Sequence, residues 1–201
     1  MTLRLALLGD SIAYGVGADH RSDTLAERIR RALAGHGIVV EPRVFAVSGA
    51  RSAGLAAQVR RAVAWQPHLA LTVVGANDLT HFVPHDEAAR DLGAAVRELR
   101  AHDAEVVVAP APDLSIVPQL PPAMRPLVQA GSRALRTAQV AAVLAEGGRI
   151  ADATSSTSAA FAGDRTLFSR DRFHPSSAGY EVIAAALLPA VIEAAAAVRA
   201  A

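Results

Sequence analysis

The side chains of this sequence that could do chemistry fall in four short polar motifs spread over most of its 201 residues. Together they contain a hydroxyl nucleophile, an imidazole to accept its proton, a carboxylate to hold that imidazole, and N–H donors for an oxyanion. These are the parts that acyl transfer through a serine requires. The motifs are Gly9-Asp10-Ser11, Ser48-Gly49, Gly75-Ala76-Asn77-Asp78 and Asp171-Arg172-Phe173-His174.

Ser11 is the candidate nucleophile, because an apolar run ending in Gly-Asp-Ser is typical of a buried strand that delivers a small polar residue to its carboxyl end. Asp171 and His174 are three residues apart and are followed by Pro175. One tight turn can therefore bring the carboxylate to the ring nitrogen that faces away from Ser11. Each motif also has a purely structural explanation, since Asp and Ser often turn a chain or cap a helix.

Asn77 is the strongest single candidate for stabilising an oxyanion, because its side-chain amide can donate a hydrogen bond. The backbone amides of Ser11 and Gly49 can do the same, and glycine at position 49 lets the backbone approach a substrate closely. The alternative is that residues 75–78 form an ordinary turn.

The elements that must position these motifs follow from hydrophobic periodicity. Strands alternate with helices, which predicts an α/β fold with a mainly parallel sheet covered on both faces. Carboxyl ends of parallel strands share one edge, so the four motifs can converge there.

Residues 110–126 hold six of the eleven prolines and predict a stiff loop, and residues 154–173 are predicted to be irregular. The predicted strands are 3–9, 38–47, 69–74, 105–109 and 149–151, and the predicted helices are 22–34 with Ser22 as cap, 52–65, 86–101, 126–146 and 176 onward.

With all four blocks in order along nearly the full length, the sequence resembles the SGNH hydrolases, also called the GDSL-type esterase/lipase family. The resemblance implies a flavodoxin-like three-layer α/β/α sandwich with a mainly parallel five-stranded sheet, and neither a metal nor an organic cofactor. Ile12 stands where the family name has leucine. The site residues that it implies are Ser11 as nucleophile, His174 as base, Asp171 as its partner, Ser11, Gly49 and Asn77 as oxyanion hole, and Asp10 and Asp78 as residues that orient the loops.

Composition excludes several other classes of function. The formal net charge is +1 and no block of like charge occurs, so neither nucleic acid nor a membrane surface is an expected partner. The sequence has no lysine and no cysteine, which excludes Schiff-base chemistry, disulfides and thiolate metal sites. His81 and His85 would need a helix to act as a metal pair, and Pro84 argues against one.

The chain is expected to form one domain over residues 1–201 and to be cytoplasmic. No Pro/Gly/Ser-rich linker divides it, and the first apolar run is too short for a signal peptide. Residues 182–198 are very apolar, but Pro189 and Glu193 interrupt them. They are therefore predicted to be a buried terminal helix rather than a stable membrane insertion.

The sequence thus predicts a serine esterase that hydrolyses a small-molecule ester, with a preference for short acyl chains because no large lid is evident. One alternative is a thioesterase or a carbohydrate O-acetylesterase that uses the same site. A second, non-enzymatic alternative is a module that binds a small ligand and whose Ser-His-Asp triad does not catalyse a reaction. Oligomeric state stays open. The candidate residues for an acyl or alcohol pocket are Tyr14, Leu79, Phe82, Leu114, Ile116, Val117 and Phe173. An acyl-CoA thioester would be expected to need basic side chains at the edge of the site, and the candidates for these are Arg51, Arg125 and Arg170.

Overall fold

A computed structural model of the chain describes residues 1–151 and 154–200, with the side chains of residues 154 and 155 outside the description. Five strands alternate with helices along the chain. The strands are β1 Leu3–Gly9, β2 Val40–Val44, β3 Leu69–Val73, β4 Glu105–Ala109 and β5 Arg149–Ile150. The α-helices are α1 Ser11–Tyr14, α2 Leu25–Gly35, α3 Leu55–Ala64, α4 Ala76–Thr80, α5 His85–Ala101, α6 Arg125–Ala145, α7 Thr154–Gly163 and α8 Ser177–Ala200. Single 3-10 turns occupy Arg21–Asp23, Ser52–Gly54, Leu114–Ile116, Pro122–Met124 and Arg165–Leu167.

The sheet has the order β2-β1-β3-β4-β5 and every pair of neighbouring strands is parallel. This is the flavodoxin-like order, so the predicted α/β fold is confirmed. The order reverses beside β1, which places the end of β1 at the point where such sheets bind ligands. The strand end that carries Ser11 is therefore the expected centre of a site.

The two faces of the sheet bury separate cores, which is why β1, β3 and β4 are mostly apolar rather than alternating. Leu5 and Leu7 face one core, which is completed by α2 and α8. Ala6 and Leu8 face the other core, which is completed by α3, α5 and α6. The three layers follow from this two-sided burial.

The structure differs from two predictions about local structure. The segment predicted to be irregular contains α7 and a 3-10 turn at Arg165–Leu167. Its Ser- and Thr-rich sequence has weak helix propensity, and it is anchored by Phe161, whose ring packs edge-on against Phe168. Ser22 does not cap α2, because the 3-10 turn Arg21–Asp23 precedes that helix and Thr24 occupies the cap position.

The final helix α8 is long and apolar enough to cross a membrane, judged by length and composition alone. One side of it packs into the core, where Tyr180, Leu187 and Val191 are fully buried. Pro189 lies inside the helix. The side of α8 that faces the sheet is thus a core element, as predicted for the terminal helix.

Candidate active site

Ser11 lies just beyond β1, at the start of the short helix α1. The turn between them depends on Gly9, whose φ is +124° and where a Cβ would lie 1.8 Å from the carbonyl oxygen of Val73. No other residue fits so close to β3. Asp10 then caps α1, because its Oδ1 accepts a hydrogen bond from the amide of Ile12 at 3.0 Å. Gly9 thus forms the turn, Asp10 caps α1, and Ser11 is the first residue of that helix.

The structure brings Ser11, His174 and Asp171 into one hydrogen-bonded line. Nε2 of His174 lies 3.0 Å from Oγ of Ser11, and Nδ1 lies 2.6 Å from Oδ2 of Asp171. An ionised carboxylate can only accept, so Nδ1 carries the hydrogen and Nε2 is left to accept one from the hydroxyl. The arrangement can remove a proton from Ser11 and stabilise the imidazolium that results.

Asp171 is held in its ionised form by the loop around it. Its Oδ1 accepts hydrogen bonds from Oγ of Ser169 at 2.8 Å and from the amides of Phe173 and His174 at 2.9 Å each. Burial acts to raise the pKa of Asp171, but the hydrogen bonds from His174, Phe173 and Ser169 outweigh it and leave the pKa well below its usual range. Gln119 ties this loop to the Pro-rich segment, since its Nε2 donates to the carbonyl of Asp171 at 2.5 Å.

The three candidate oxyanion donors follow the ends of three neighbouring strands, β1, β2 and β3. Gly49 has a φ of +80°, and the loop before it is joined to β1 because the amide of Val47 donates to the carbonyl of Gly9 at 3.1 Å. Nδ2 of Asn77 donates to the carbonyl of Ala50 at 3.1 Å, so one amide hydrogen orients the side chain and the second is left for a ligand.

Asp78 and Asp10 are both buried and contact backbone rather than the nucleophile. Asp78 accepts hydrogen bonds from the amide and the hydroxyl of Ser52, which fixes the loop that carries Gly49. Burial raises the pKa of Asp10 to about 7, the hydrogen bond from Ile12 opposes that rise, and the nearby charge of Asp78 adds to it. The contacts of Asp78 thus tie the Gly75-Ala76-Asn77-Asp78 motif to the loop that carries Gly49.

Two buried glutamines support the site and were missing from the sequence analysis. The carboxamide of Gln58 accepts from the amide of Gly9 at 2.7 Å and donates to the carbonyl of the same residue at 2.8 Å. Gln139 accepts from the amide of Ala111 at 2.7 Å and donates to the carbonyl of Val74 at 3.3 Å. A signal existed, because each glutamine falls on the inward face of an amphipathic helix, where a polar residue must find partners.

An apolar cavity of about 120 Å³ opens beside Ser11 and His174. Of the predicted pocket residues, Leu114, Ile116, Val117 and Phe173 line it. Leu79 and Phe82 line a separate, more exposed groove, while Tyr14 lines neither the cavity nor this groove and is 57% exposed. Sequence reasoning missed the deeper walls, which come from α7 and α8.

The other sequence candidates are not brought into the site. Arg51 and Arg170 are exposed, and neither they nor Arg125 line the cavity. His81 contacts the carbonyl of Asn77 through Nδ1. Across residues 1–151 and 154–200, no group of three or more His, Asp or Glu side chains could hold a metal ion.

Residues 7–182 match the GDSL-like Lipase/Acylhydrolase family. The chain belongs to this family. It is 34% identical over 196 residues to a GDSL-like esterase of Mycobacterium tuberculosis, an alignment that covers 96% of this chain and 62% of that protein. The GDSL-like chain therefore spans less than two thirds of the length of that relative.

Solved structures share the fold of this GDSL-like chain at low sequence identity. A family 3 carbohydrate esterase of Clostridium thermocellum superimposes with a TM-score of 0.77 at 16% identity, with 98% of each chain covered. TesA superimposes with a TM-score of 0.75 at 22% identity, with 97% of this chain and 99% of that chain covered.

Proposed function

We propose that this chain is a serine esterase that hydrolyses small carboxylic esters with short acyl chains. The observation that carries the proposal is the hydrogen-bonded line from Asp171 through His174 to the hydroxyl of Ser11. A nucleophile within hydrogen-bond reach of a base, with the base oriented by a carboxylate, is the arrangement used for nucleophilic catalysis of acyl transfer. Membership of a lipase/acylhydrolase family supports the same class of reaction.

In the first half of the reaction, Oγ of Ser11 bonds to the ester carbonyl carbon while its proton passes to Nε2 of His174. The carbonyl electrons move onto oxygen, and the amides of Ser11 and Gly49 and the side chain of Asn77 hold the negative charge. The bond to the alcohol oxygen then breaks, and that oxygen takes the proton from His174. The alcohol leaves, and an acyl ester remains on Ser11.

In the second half, water replaces the alcohol. Nε2 of His174 takes a proton from the water as its oxygen bonds to the acyl carbon, and the same donors hold the oxyanion. The bond to Ser11 breaks and Oγ recovers the proton from His174. The acid is released and the enzyme returns to its starting state, so atoms and charge balance over the cycle.

The mostly apolar lining beside Ser11 favours a hydrocarbon acyl group over an acetylated sugar, whose hydroxyls need polar partners. A thioester differs from an ester only at the leaving atom, and the same steps apply to it. The residues named for a basic rim, Arg51, Arg125 and Arg170, lie outside the cavity lining, so no contact found here favours a thioester of an anionic carrier.

Hydrolysis of p-nitrophenyl acetate, butanoate and hexanoate by the wild-type chain and by Ser11→Ala tests the proposal. Loss of the nucleophile is expected to lower kcat by at least about 10³-fold. A fluorophosphonate probe should add one label per wild-type molecule and none to Ser11→Ala. Ser22→Ala, which removes an exposed hydroxyl, serves as the matched control and should be labelled like wild type.

The proposal fails if wild type and Ser11→Ala have the same activity, or if both are inactive on every ester, thioester and acetylated sugar tested. The second result favours a binding module with an idle triad.

A further inference from the structure

We propose that the cavity beside Ser11 is the acyl site, so that its depth selects straight hydrocarbon acyl groups of up to about six carbons. This inference rests on the proposed esterase function and adds the class of acyl group and the residues that limit its length.

The cavity lies between the carboxyl edge of the sheet and α8. Val73, Ala109 and Ala151 come from the ends of three adjacent strands and form one wall, and all three are almost fully buried. Ile183 and Leu187 of α8 form the opposite wall. One side of the space therefore adjoins the hydrophobic core, to which Val73, Ala109, Ala151 and Leu187 belong.

The cavity wall suits a hydrocarbon chain because its inner surface is apolar. Apart from Ser11 and His174 at the mouth, the polar residues along it are Asp113, Thr157 and Ser158. Oδ1 of Asp113 already accepts a hydrogen bond from the amide of Ser115 at 2.9 Å. A chain of methylene groups placed here would leave water without losing hydrogen bonds, which favours binding.

The order of the two half-reactions assigns this space to the acyl group rather than to the alcohol. The acyl group stays bonded to Oγ of Ser11 until water releases it, whereas the alcohol must leave before water enters. A space that begins at Ser11 and whose lining includes the buried side chains of Val73, Ala109 and Leu187 suits the group that stays.

A second apolar space provides the competing location for a chain. It is a surface groove that shares Leu114, Val117 and Phe173 with the cavity. Its outer lining includes Phe82 and Leu127, which are 91% and 72% exposed. Because the groove contacts neither Ser11 nor His174, the structure assigns the chain attached to Ser11 to the cavity.

The cavity volume of about 120 Å³ sets a length limit. An apolar cavity of about 150 Å³ in another protein accommodates benzene, which has six carbon atoms. We therefore expect kcat/KM to rise by up to about fourfold per added methylene from acetyl towards hexanoyl, and to fall for longer chains.

The test compares acyl esters of one alcohol, p-nitrophenyl acetate through decanoate, with acetates of methanol through octanol followed by acid release. Two variants change the cavity in opposite directions. Ala109→Val narrows it and should lower the hexanoate-to-acetate ratio of kcat/KM by about tenfold, while Ile183→Ala deepens it and should move the optimum to about octanoate. If one variant does not fold, the other still gives a directional result.

Phe82→Ser and Leu127→Ser in the groove are the controls, and the acyl-chain ratio should stay within about twofold of wild type in both. The inference is overturned if the ratio follows the groove variants, if the cavity variants alter the alcohol series instead, or if neither cavity variant moves the acyl optimum. Those results leave the esterase proposal standing as long as Ser11→Ala is inactive. Activity that survives in Ser11→Ala overturns the esterase proposal itself.

Discussion

Asn77 is held at the start of α4 with its carboxamide already oriented. Its Nδ2 donates to the carbonyl of Ala50, the residue that follows Gly49, at 3.1 Å. One hydrogen bond therefore positions two candidate oxyanion donors relative to each other. Such orientation before substrate arrives is what makes a donor effective, because no reorganisation is needed as charge develops.

Replacing the side chain in Asn77→Ala should lower kcat by about 10²- to 10³-fold and change KM by less than about threefold, since the donor acts on charge present only in the transition state. Steady-state kinetics on p-nitrophenyl butanoate measures this split. Thr80→Ala, on the same short helix, is the control and should retain nearly full activity. Equal kinetics in the two variants would remove Asn77 from the oxyanion hole.

The ionised state of Asp171 is stabilised by hydrogen bonds from a few residues. Three donors converge on its Oδ1, two of them backbone amides of the same turn, and Oδ2 is left for His174. Because its pKa lies well below the usual range, this carboxylate is ionised at neutral and mildly acidic pH. Asp171 therefore orients the imidazole of His174 in the same way at each pH in that range.

At the level of elements, two helices fix strand ends through buried carboxamides. Gln58 of α3 pairs with the amide and carbonyl of Gly9, just before the nucleophile. Gln139 of α6 links Val74, at the end of β3, to Ala111, beyond β4. Each carboxamide pairs with an amide and a carbonyl at a place where the regular sheet ladder stops, so these backbone groups keep hydrogen-bond partners inside the protein.

Gln139→Leu should lower the free energy of unfolding by about 3 kcal/mol, because leucine has a similar volume but leaves a buried amide and a buried carbonyl unpaired. Urea denaturation measures the change. Gln129→Leu is the matched control, since it is exposed on the same helix, and it should change stability by less than about 0.5 kcal/mol. Equal losses of unfolding free energy in the two variants would show that the hydrogen bonds of Gln139 with Ala111 and Val74 do not stabilise the fold.

The strands and the long helices could be predicted from periodicity because burial on one or both sides leaves a regular pattern. β1 lies in the predicted apolar run before Asp10, β4 matches its predicted residues, and α5 differs from prediction by one residue at its start. β2 is an edge strand that pairs only with β1, and it is shorter than predicted, Val40–Val44 within 38–47. The flanking residues Val39, Phe45 and Val47 still form backbone hydrogen bonds with β1 beyond the ends of the assigned strand.

The remaining elements depend on contacts that a local pattern does not contain. α7 has little amphipathic character, and a turn of helix there is stabilised by the packing of Phe161 on Phe168, seven residues along the chain. The short helices α1 and α4 are each only a few residues long and follow glycines with positive φ, Gly9 and Gly75. The cavity behind Ser11 is formed by strand ends and α8, so it appears only once these elements are assembled.

On the scale of the whole molecule, Asp10 lies where the two ends of the chain meet. Tyr180 of α8 donates to the carbonyl of Val16 at 2.8 Å, and burial followed by the charges of Asp10 and Asp171 raises the pKa of its hydroxyl. Asp10 itself is buried, and its charge acts on Tyr180 of α8. Its ionisation acts on the stability of the entire fold through linkage.

Asp10→Asn should reveal this effect as a pH-dependent gain in stability. The pKa of Asp10 is about 7 in the folded chain, against 3.8 as its ordinary value, so the folded state holds an extra proton between about pH 4 and pH 7. The free energy of unfolding therefore falls as pH rises through that window, by about 4 kcal/mol in total. Asparagine cannot ionise and still caps a helix, so the variant should be more stable than wild type at pH 8 and similar to it at pH 4.

Urea denaturation at pH 4 and pH 8 measures this difference. Glu193→Gln, which neutralises an exposed carboxylate on α8, is the control and should change stability by less than about 0.5 kcal/mol at both values. A gain for Asp10→Asn that is the same at pH 4 and pH 8 would contradict the linkage argument.

The contact between Ser11 and His174 joins residues 163 positions apart, and Tyr180 closes a loop of 164 positions onto Val16. Contacts at such separation form late, because the chain between them must first be ordered. During synthesis, Ser11 has no partner until the residues up to His174 have emerged. In a refolding experiment, hydrolysis should reappear after the circular dichroism signal of the helices, which makes activity a reporter of the last step in assembly.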